Sequence, residues 1–124
     1  MLDLKLGVVE THFADIIWAH EPVSSGVLVK LCEQELGWKK PTTYTVLRKL
    51  CERGIFQNTN GIVTSCYSKE TFHAMRSEQF VQETYHGSLP AFIAAFAERK
   101  ELSKQDIAEI RAMIDAYEHA YKGE

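Results

Sequence analysis

The chain has no run of about eighteen apolar residues, the length a helix needs to cross a bilayer. Residues Met1 to Glu10 carry Asp3, Lys5 and Glu10 and are too polar for a signal peptide. Both absences lead to the expectation of a cytoplasmic protein. Cysteine is scarce. Cys32, Cys51 and Cys66 cannot form a closed disulfide set, and none stands in a C-x-x-C spacing, so they read as reduced thiols. There is no phosphate-cradling glycine loop, no serine in a strained-turn motif and no arguable Cys–His pair, which argues against an enzyme. Bases are not in excess either. The 124 residues carry a net charge of −3, which excludes a uniformly basic nucleic-acid coat.

What is present is one cluster of positive charge. Between Trp38 and Gly54 stand five bases and one acid, whereas residues 69–124 hold seven bases and ten acids. An acidic remainder confines polyanion binding to one face and repels phosphate elsewhere. With 45% apolar and 25% charged residues, the composition is that of a folded domain.

The pattern along the chain predicts three helices, a hairpin and three further helices. Val9, Phe13, Ile16 and Ile17 recur at helical spacing in Val8–His20, and Glu21-Pro22 stops that helix. Ser24 is placed to cap a second helix with the stripe Val27, Leu28, Leu31, Cys32, closed by Gly37. Pro41 suits the first turn of a third, whose buried face is Val46, Leu47, Leu50 and Cys51 and whose end is Gly54. Ile55–Asn58 and Ile62–Tyr67 are β-rich, and the Asn60-Gly61 pair between them is a strong hairpin signal.

Ser68 is placed to cap a fourth helix, Lys69 to His86, and Ser88 a fifth bearing Leu89, Phe92, Ile93 and Phe96. Ser103 and Asp106 have the spacing of a capping box before a sixth. Ile107, Ile110, Ile114, Tyr117 and Tyr121 on that helix step by three and four, an a/d seam suited to a partner helix. The alternative for the seam is burial inside the monomer.

At 100° per residue, Thr43, Val46, Leu47, Leu50 and Cys51 share an arc of about 140° on the third helix. The opposite face carries Pro41, Thr45, Arg48, Lys49 and Glu52, with Thr42 and Tyr44 on its flanks. Two helices joined by a short turn, the second presenting Thr, Tyr, Arg and Lys outward, form a helix-turn-helix, and the hairpin directly after it makes the layout a winged helix. Such a helix fits the major groove of double-stranded DNA. The expectation is that Thr42, Tyr44 and Thr45 read bases. Lys39, Lys40, Arg48 and Lys49 hold phosphates, while Asn58 and Asn60 on the wing follow the backbone by hydrogen bonds. The competing reading is a winged helix that binds proteins and never DNA, favoured by the lack of Lys or Arg from Ile55 to Ser68.

Glu70-x-x-His73 and Glu83-x-x-His86 have a di-iron ligand spacing. On one helix, thirteen residues hold the two pairs about 20 Å apart, so they cannot share a metal within one chain. His12, His20 and His119 stand alone. Neither metal nor cofactor is expected. A thiol or metal sensor built on Cys51 and Cys66 is a third possibility and requires accessible thiols.

Glu10, Ile16-Ile17-Trp18, Gly37-Trp38, Thr42-Thr43-Tyr44-Thr45-Val46-Leu47 and Cys51-Glu52-Arg53-Gly54 resemble, in order and spacing, the penicillinase-repressor family (BlaI/MecI type, with copper-responsive CopY-type relatives). Gly87-Ser88-Leu89 and Lys100-Glu101-Leu102-Ser103 resemble its C-terminal segment, and the likeness covers roughly residues 5–118. It implies a mainly α fold: a winged-helix DNA-binding domain, here 1–68, and a helical dimerisation segment, here 69–124. It also implies a homodimeric repressor on a palindromic operator, regulating antibiotic-resistance or metal-homeostasis genes. Leu89, Phe92, Ile93, Phe96, Ile107, Ile110, Ile114 and Tyr117 are then the dimerisation residues. Antibiotic-linked members resemble substrates of a sensor protease that cuts an Asn-Phe bond, where this chain has Ala95-Phe96. Copper-responsive members end in paired C-x-C motifs, and this chain has no cysteine after Cys66.

Overall fold

The computed structural model describes residues 3–122. Its elements run α1 (Val8–His20), β1 (Val23–Ser24), α2 (Ser25–Leu36), α3 (Lys40–Glu52), β2 (Phe56–Thr59), β3 (Ile62–Ser65), α4 (Lys69–Tyr85), α5 (Leu89–Arg99) and α6 (Lys104–Lys122). The fold is mainly α, a winged helix followed by further helices.

Serines begin four of the helices. Ser24, Ser68, Ser88 and Ser103 accept hydrogen bonds through Oγ from the backbone N–H of Val27, Thr71, Ala91 and Asp106 at 3.0–3.2 Å. Each satisfies a donor that the first helical turn leaves without a partner. Gly37 ends α2 at φ 68°, a left-handed conformation that costs a residue with a Cβ. The hairpin turn is Asn60 (φ 53°) and Gly61 (φ 83°), both left-handed, as a two-residue turn matched to strand twist requires.

The sheet has an unexpected member. Its order is β1-β3-β2, all antiparallel, with Val23 opposite Val63 and Ser24 opposite Ile62. A two-residue strand is too short to show any alternation in sequence. Its effect is to tie the wing to the start of α2, because β3 is clasped on both edges.

The core draws Phe13, Ile16 and Ile17 from α1, Leu28 and Cys32 from α2, Leu47 and Leu50 from α3, and Phe56 and Val63 from the hairpin. Phe72 of α4 is fully buried with them. Trp18 joins these layers. Its ring lies 5.5 Å from Phe56 and 5.3 Å from Phe72, and its Nε1–H donates to the Tyr67 carbonyl at 3.0 Å. Two residues assigned to apolar stripes stay exposed instead. Val9 lies one turn ahead of buried Phe13, and Val27 is 49% exposed on the rim of α2. A four-residue stripe is wider than the contact a short helix makes, so its edge remains in solvent.

The chain divides into two compact units between Phe80 and Val81, within α4. In the second unit, Tyr85 and Phe92 meet edge-on at 5.7 Å, and Phe92 and Phe96 stand 6.4 Å apart.

Candidate nucleic-acid interface

The core-facing side of α3 is set by Thr43, Leu47 and Leu50, all buried, with Val46 and Cys51 half-buried beside them. This fixes the roll of the helix, so Pro41, Thr42, Tyr44, Thr45, Arg48 and Lys49 are all exposed. Lys39 is the N-cap and Lys40 the first helical residue, and Lys39 gives α3 no side-chain cap. Two bases therefore stand at the end of the helix whose dipole already favours an anion.

Arg53, the fifth base of the cluster, is used within the molecule. It pairs with Asp3 (3.3 Å) and Glu10 (3.7 Å) and donates to the carbonyls of Asp3 and Lys5. It thereby straps the N-terminal segment, including buried Leu4, to the end of α3. Lys69 pairs with Asp15 at 3.1 Å. Among the described residues no ion pair engages Lys39, Lys40, Arg48 or Lys49, so these four offer their charge outward.

The three residues expected to read bases differ in what they can offer. The Tyr44 hydroxyl donates to Ser25 Oγ at 3.1 Å, and Lys40 Nζ lies 6.0 Å from its ring centroid. Ser25 in turn donates its N–H to the Gly61 carbonyl at 2.8 Å. Ser25 thus links α2, α3 and the wing tip, a role its sequence context does not signal. The Thr45 hydroxyl donates back to the Pro41 carbonyl at 2.9 Å, so it presents an acceptor lone pair and a methyl group rather than a donor. Thr42 is exposed.

On the wing, Asn58 and Asn60 are both exposed. Asn58 Oδ1 accepts from the Gly61 N–H at 3.0 Å, which leaves its NH₂ as the group it can extend. Gln57 Nε2 donates across the hairpin to Thr64 Oγ1 at 3.1 Å. Ile62 adds an exposed apolar side chain beside the wing's tip, missed because its strand position alone did not fix its face.

Beneath this face, the Thr43 hydroxyl is buried with no hydrogen-bond partner except the weakly accepting sulfur of Cys32 beside it. Burial pushes the Cys32 thiol up to about 11, against the opposing influence of Thr43, with Glu35 adding to the rise. Thr43→Val removes the unpartnered hydroxyl. It is expected to stabilise the fold by about 1 kcal/mol, read as a higher urea midpoint at unchanged m-value. A loss of similar size would mean that the hydroxyl makes a bond of ordinary strength.

In the second unit, Phe92, Ile93 and Ile110 are half-buried, whereas Leu89, Phe96 and Ile107 are exposed. Ile114 and Tyr117 are 56% and 76% exposed, so the outer half of the α6 seam is not covered. An apolar groove of about 580 Å³ runs along Leu89, Met113, Ile114, Tyr117 and Tyr121, with Glu118 at its edge. Met113 was missed because it lies off the three–four spacing of the seam. The Ala95-Phe96 bond lies inside α5.

Three histidines stand apart from this interface. His73 lies 5.9 Å from Trp18 at a tilt and 5.9 Å from Phe72 edge-on, His20 Nδ1 lies 2.9 Å from the Ile16 carbonyl oxygen, and His86 follows α4 at φ 52°.

The family model of the penicillinase repressors matches residues 6–116. The chain belongs to the penicillinase repressor family. The penicillinase repressor of Bacillus licheniformis is 20% identical over 117 residues, covering 91% of each chain. The methicillin resistance regulatory protein MecI of Staphylococcus aureus (strain Mu50 / ATCC 700699) is 22% identical over 115 residues, 90% of this chain and 94% of that protein. MecI of Mammaliicoccus sciuri is 21% identical over 115 residues. Penicillinase repressors are transcriptional regulators and not enzymes. No helix among the described residues of this family member is long and apolar enough to cross a membrane.

Proposed function

We propose that this penicillinase-repressor-family protein is a cytoplasmic homodimer that binds a palindromic operator and blocks transcription of an antibiotic-resistance gene. The observation that carries the reading is the outer face of α3. Four cations that no ion pair engages among the described residues stand there beside two threonines and a tyrosine, on a helix whose roll the core fixes. Lys39, Lys40, Arg48 and Lys49 hold phosphates. Thr42 and Thr45 meet base edges, with the Thr45 methyl suited to a thymine methyl. Tyr44, held by Ser25, contributes its ring and its hydroxyl at the groove edge. Asn58 and Asn60 reach the sugar-phosphate backbone by hydrogen bonds.

Residues 1–68 carry this recognition, and residues 69–124 carry dimerisation. The exposed groove along Leu89, Ile114 and Tyr117 supports the second assignment, because the apolar seam of α6 is left open to a partner helix. The name of the staphylococcal relatives, methicillin resistance regulatory protein, supports the class of gene regulated.

Selection from a random duplex pool at two salt concentrations tests the reading. Enrichment of a palindrome with half-sites about one helical turn, or a multiple, apart is expected, with retention falling steeply as salt rises. The base-free wing favours a second reading, a protein-interaction module. No enrichment, with any retention independent of salt, would select it.

A further inference from the structure

At the end of α3 the backbone doubles back on itself. The Gly54 N–H donates to the Cys51 carbonyl at 3.0 Å and the Ile55 N–H to the Leu50 carbonyl at 3.1 Å, drawing Ile55 against the last helical turn. The Ile55 carbonyl then accepts from the Cys66 N–H at 2.9 Å. Ile55 thus clasps two segments, each bearing a cysteine. Cys51 is half-buried on α3, and Cys66 is exposed just beyond β3. Neither thiol belongs to the α3 face that the cations occupy.

We propose that Cys51 and Cys66 are an oxidation-sensitive thiol pair, a modification site that closes to an intramolecular disulfide and ties the end of α3 to the base of the wing. The two backbone bonds of Ile55, to Leu50 and to Cys66, set the last turn of α3 beside the segment that follows β3. Burial, then the charges at Cys66 and Glu52, push the Cys51 thiol above its ordinary value, so it waits protonated. Exposed Cys66 meets the oxidant first.

With a peroxide as oxidant, the Cys66 thiolate attacks one peroxide oxygen. The O–O bond breaks, Cys66 becomes a sulfenic acid, and the other oxygen leaves as alkoxide or hydroxide and takes a proton from water. The Cys51 sulfur then attacks the Cys66 sulfur. The S–S bond forms, the S–O bond breaks, and the hydroxyl leaves as water with the Cys51 proton. The two thiols lose two electrons and the peroxide gains two. Cys32 takes no part, being fully buried in the core.

The pairing stands apart from the DNA-binding reading, because its test reads mass and not binding. The full-length protein is treated with hydrogen peroxide, blocked with N-ethylmaleimide, digested without reductant and analysed by mass spectrometry. The expected product is one Cys51–Cys66 linked peptide within a single chain, reversed by dithiothreitol. In Cys51→Ser, with an unchanged circular dichroism spectrum, the sulfenic acid at Cys66 should instead persist and be trapped by dimedone. Three results overturn the proposal: a Cys66–Cys66 link between two chains, Cys66 oxidised to sulfinic acid with Cys51 still free, or no oxidation at Cys66.

Discussion

Replacing Arg48 and Lys49 together with alanine is expected to weaken operator binding roughly 10- to 100-fold and to flatten its salt dependence. Both side chains stand exposed on the face of α3 opposite Thr43, Leu47 and Leu50, and no ion pair among the described residues holds them. Their removal therefore leaves the core alone. Each phosphate contact releases condensed counterions, so losing two should reduce the slope of log affinity against log salt by about 1.8 per protomer. A 10- to 100-fold loss corresponds to about 1.4–2.8 kcal/mol, the scale of one full charge-assisted hydrogen bond, because salt screens exposed phosphate contacts and each returns less than a buried one. Lys104→Ala, in the first turn of α6, is the control and should leave the slope unchanged. An unchanged slope in the double variant would place phosphate on another face. Arg53 cannot serve in this test. It is bound to Asp3, Glu10 and two carbonyls, and its loss would release the N-terminal strap.

The second large effect is expected at α6. Ile114→Asp combined with Tyr117→Glu puts two carboxylates on the wall of the apolar groove. In the free protomer both positions are mostly exposed, so the fold should tolerate the change. In a dimer the carboxylates would be buried without partners, and burying an unpaired charge is prohibitive. Sedimentation equilibrium should show a monomer for the variant and a dimer for the unaltered chain. Operator affinity should fall by roughly 10² or more, because a second half-site held on the same dimer is no longer at high effective concentration. A variant that remains dimeric would move the interface off this seam.

The elements of the winged helix were legible because local chemistry dictates them. Ser24, Ser68, Ser88 and Ser103 each stand where a helix must find an N-terminal acceptor. Gly37 and Asn60-Gly61 stand where the backbone must turn left-handed. Period alone turned the third helix the right way, although it did not show that the buried Thr43 hydroxyl would find only the weakly accepting sulfur of Cys32. What the sequence hid was non-local. β1 exists only because β3 arrives beside it, and two residues carry no pattern. Ser25 gains its importance from Tyr44 and Gly61, distant in sequence. Arg53 counted as part of a basic cluster until its carboxylate partners, forty and more positions earlier, came into view. Charge counted along a chain overstates the charge a surface presents whenever one member of the cluster is neutralised from elsewhere in the fold.

On the proposed reading, two copies of α3, joined through the helical segments, enter successive major grooves on one face of the duplex. Inserting five base pairs between the half-sites of the selected palindrome puts this arrangement to the test. Half a helical turn carries one half-site to the opposite face, beyond reach of a dimer still bound to the other. Affinity for the lengthened site should fall to that of a single half-site and recover in large part with a ten-base-pair insertion. Equal affinity for all three spacings would contradict a dimer reading two half-sites.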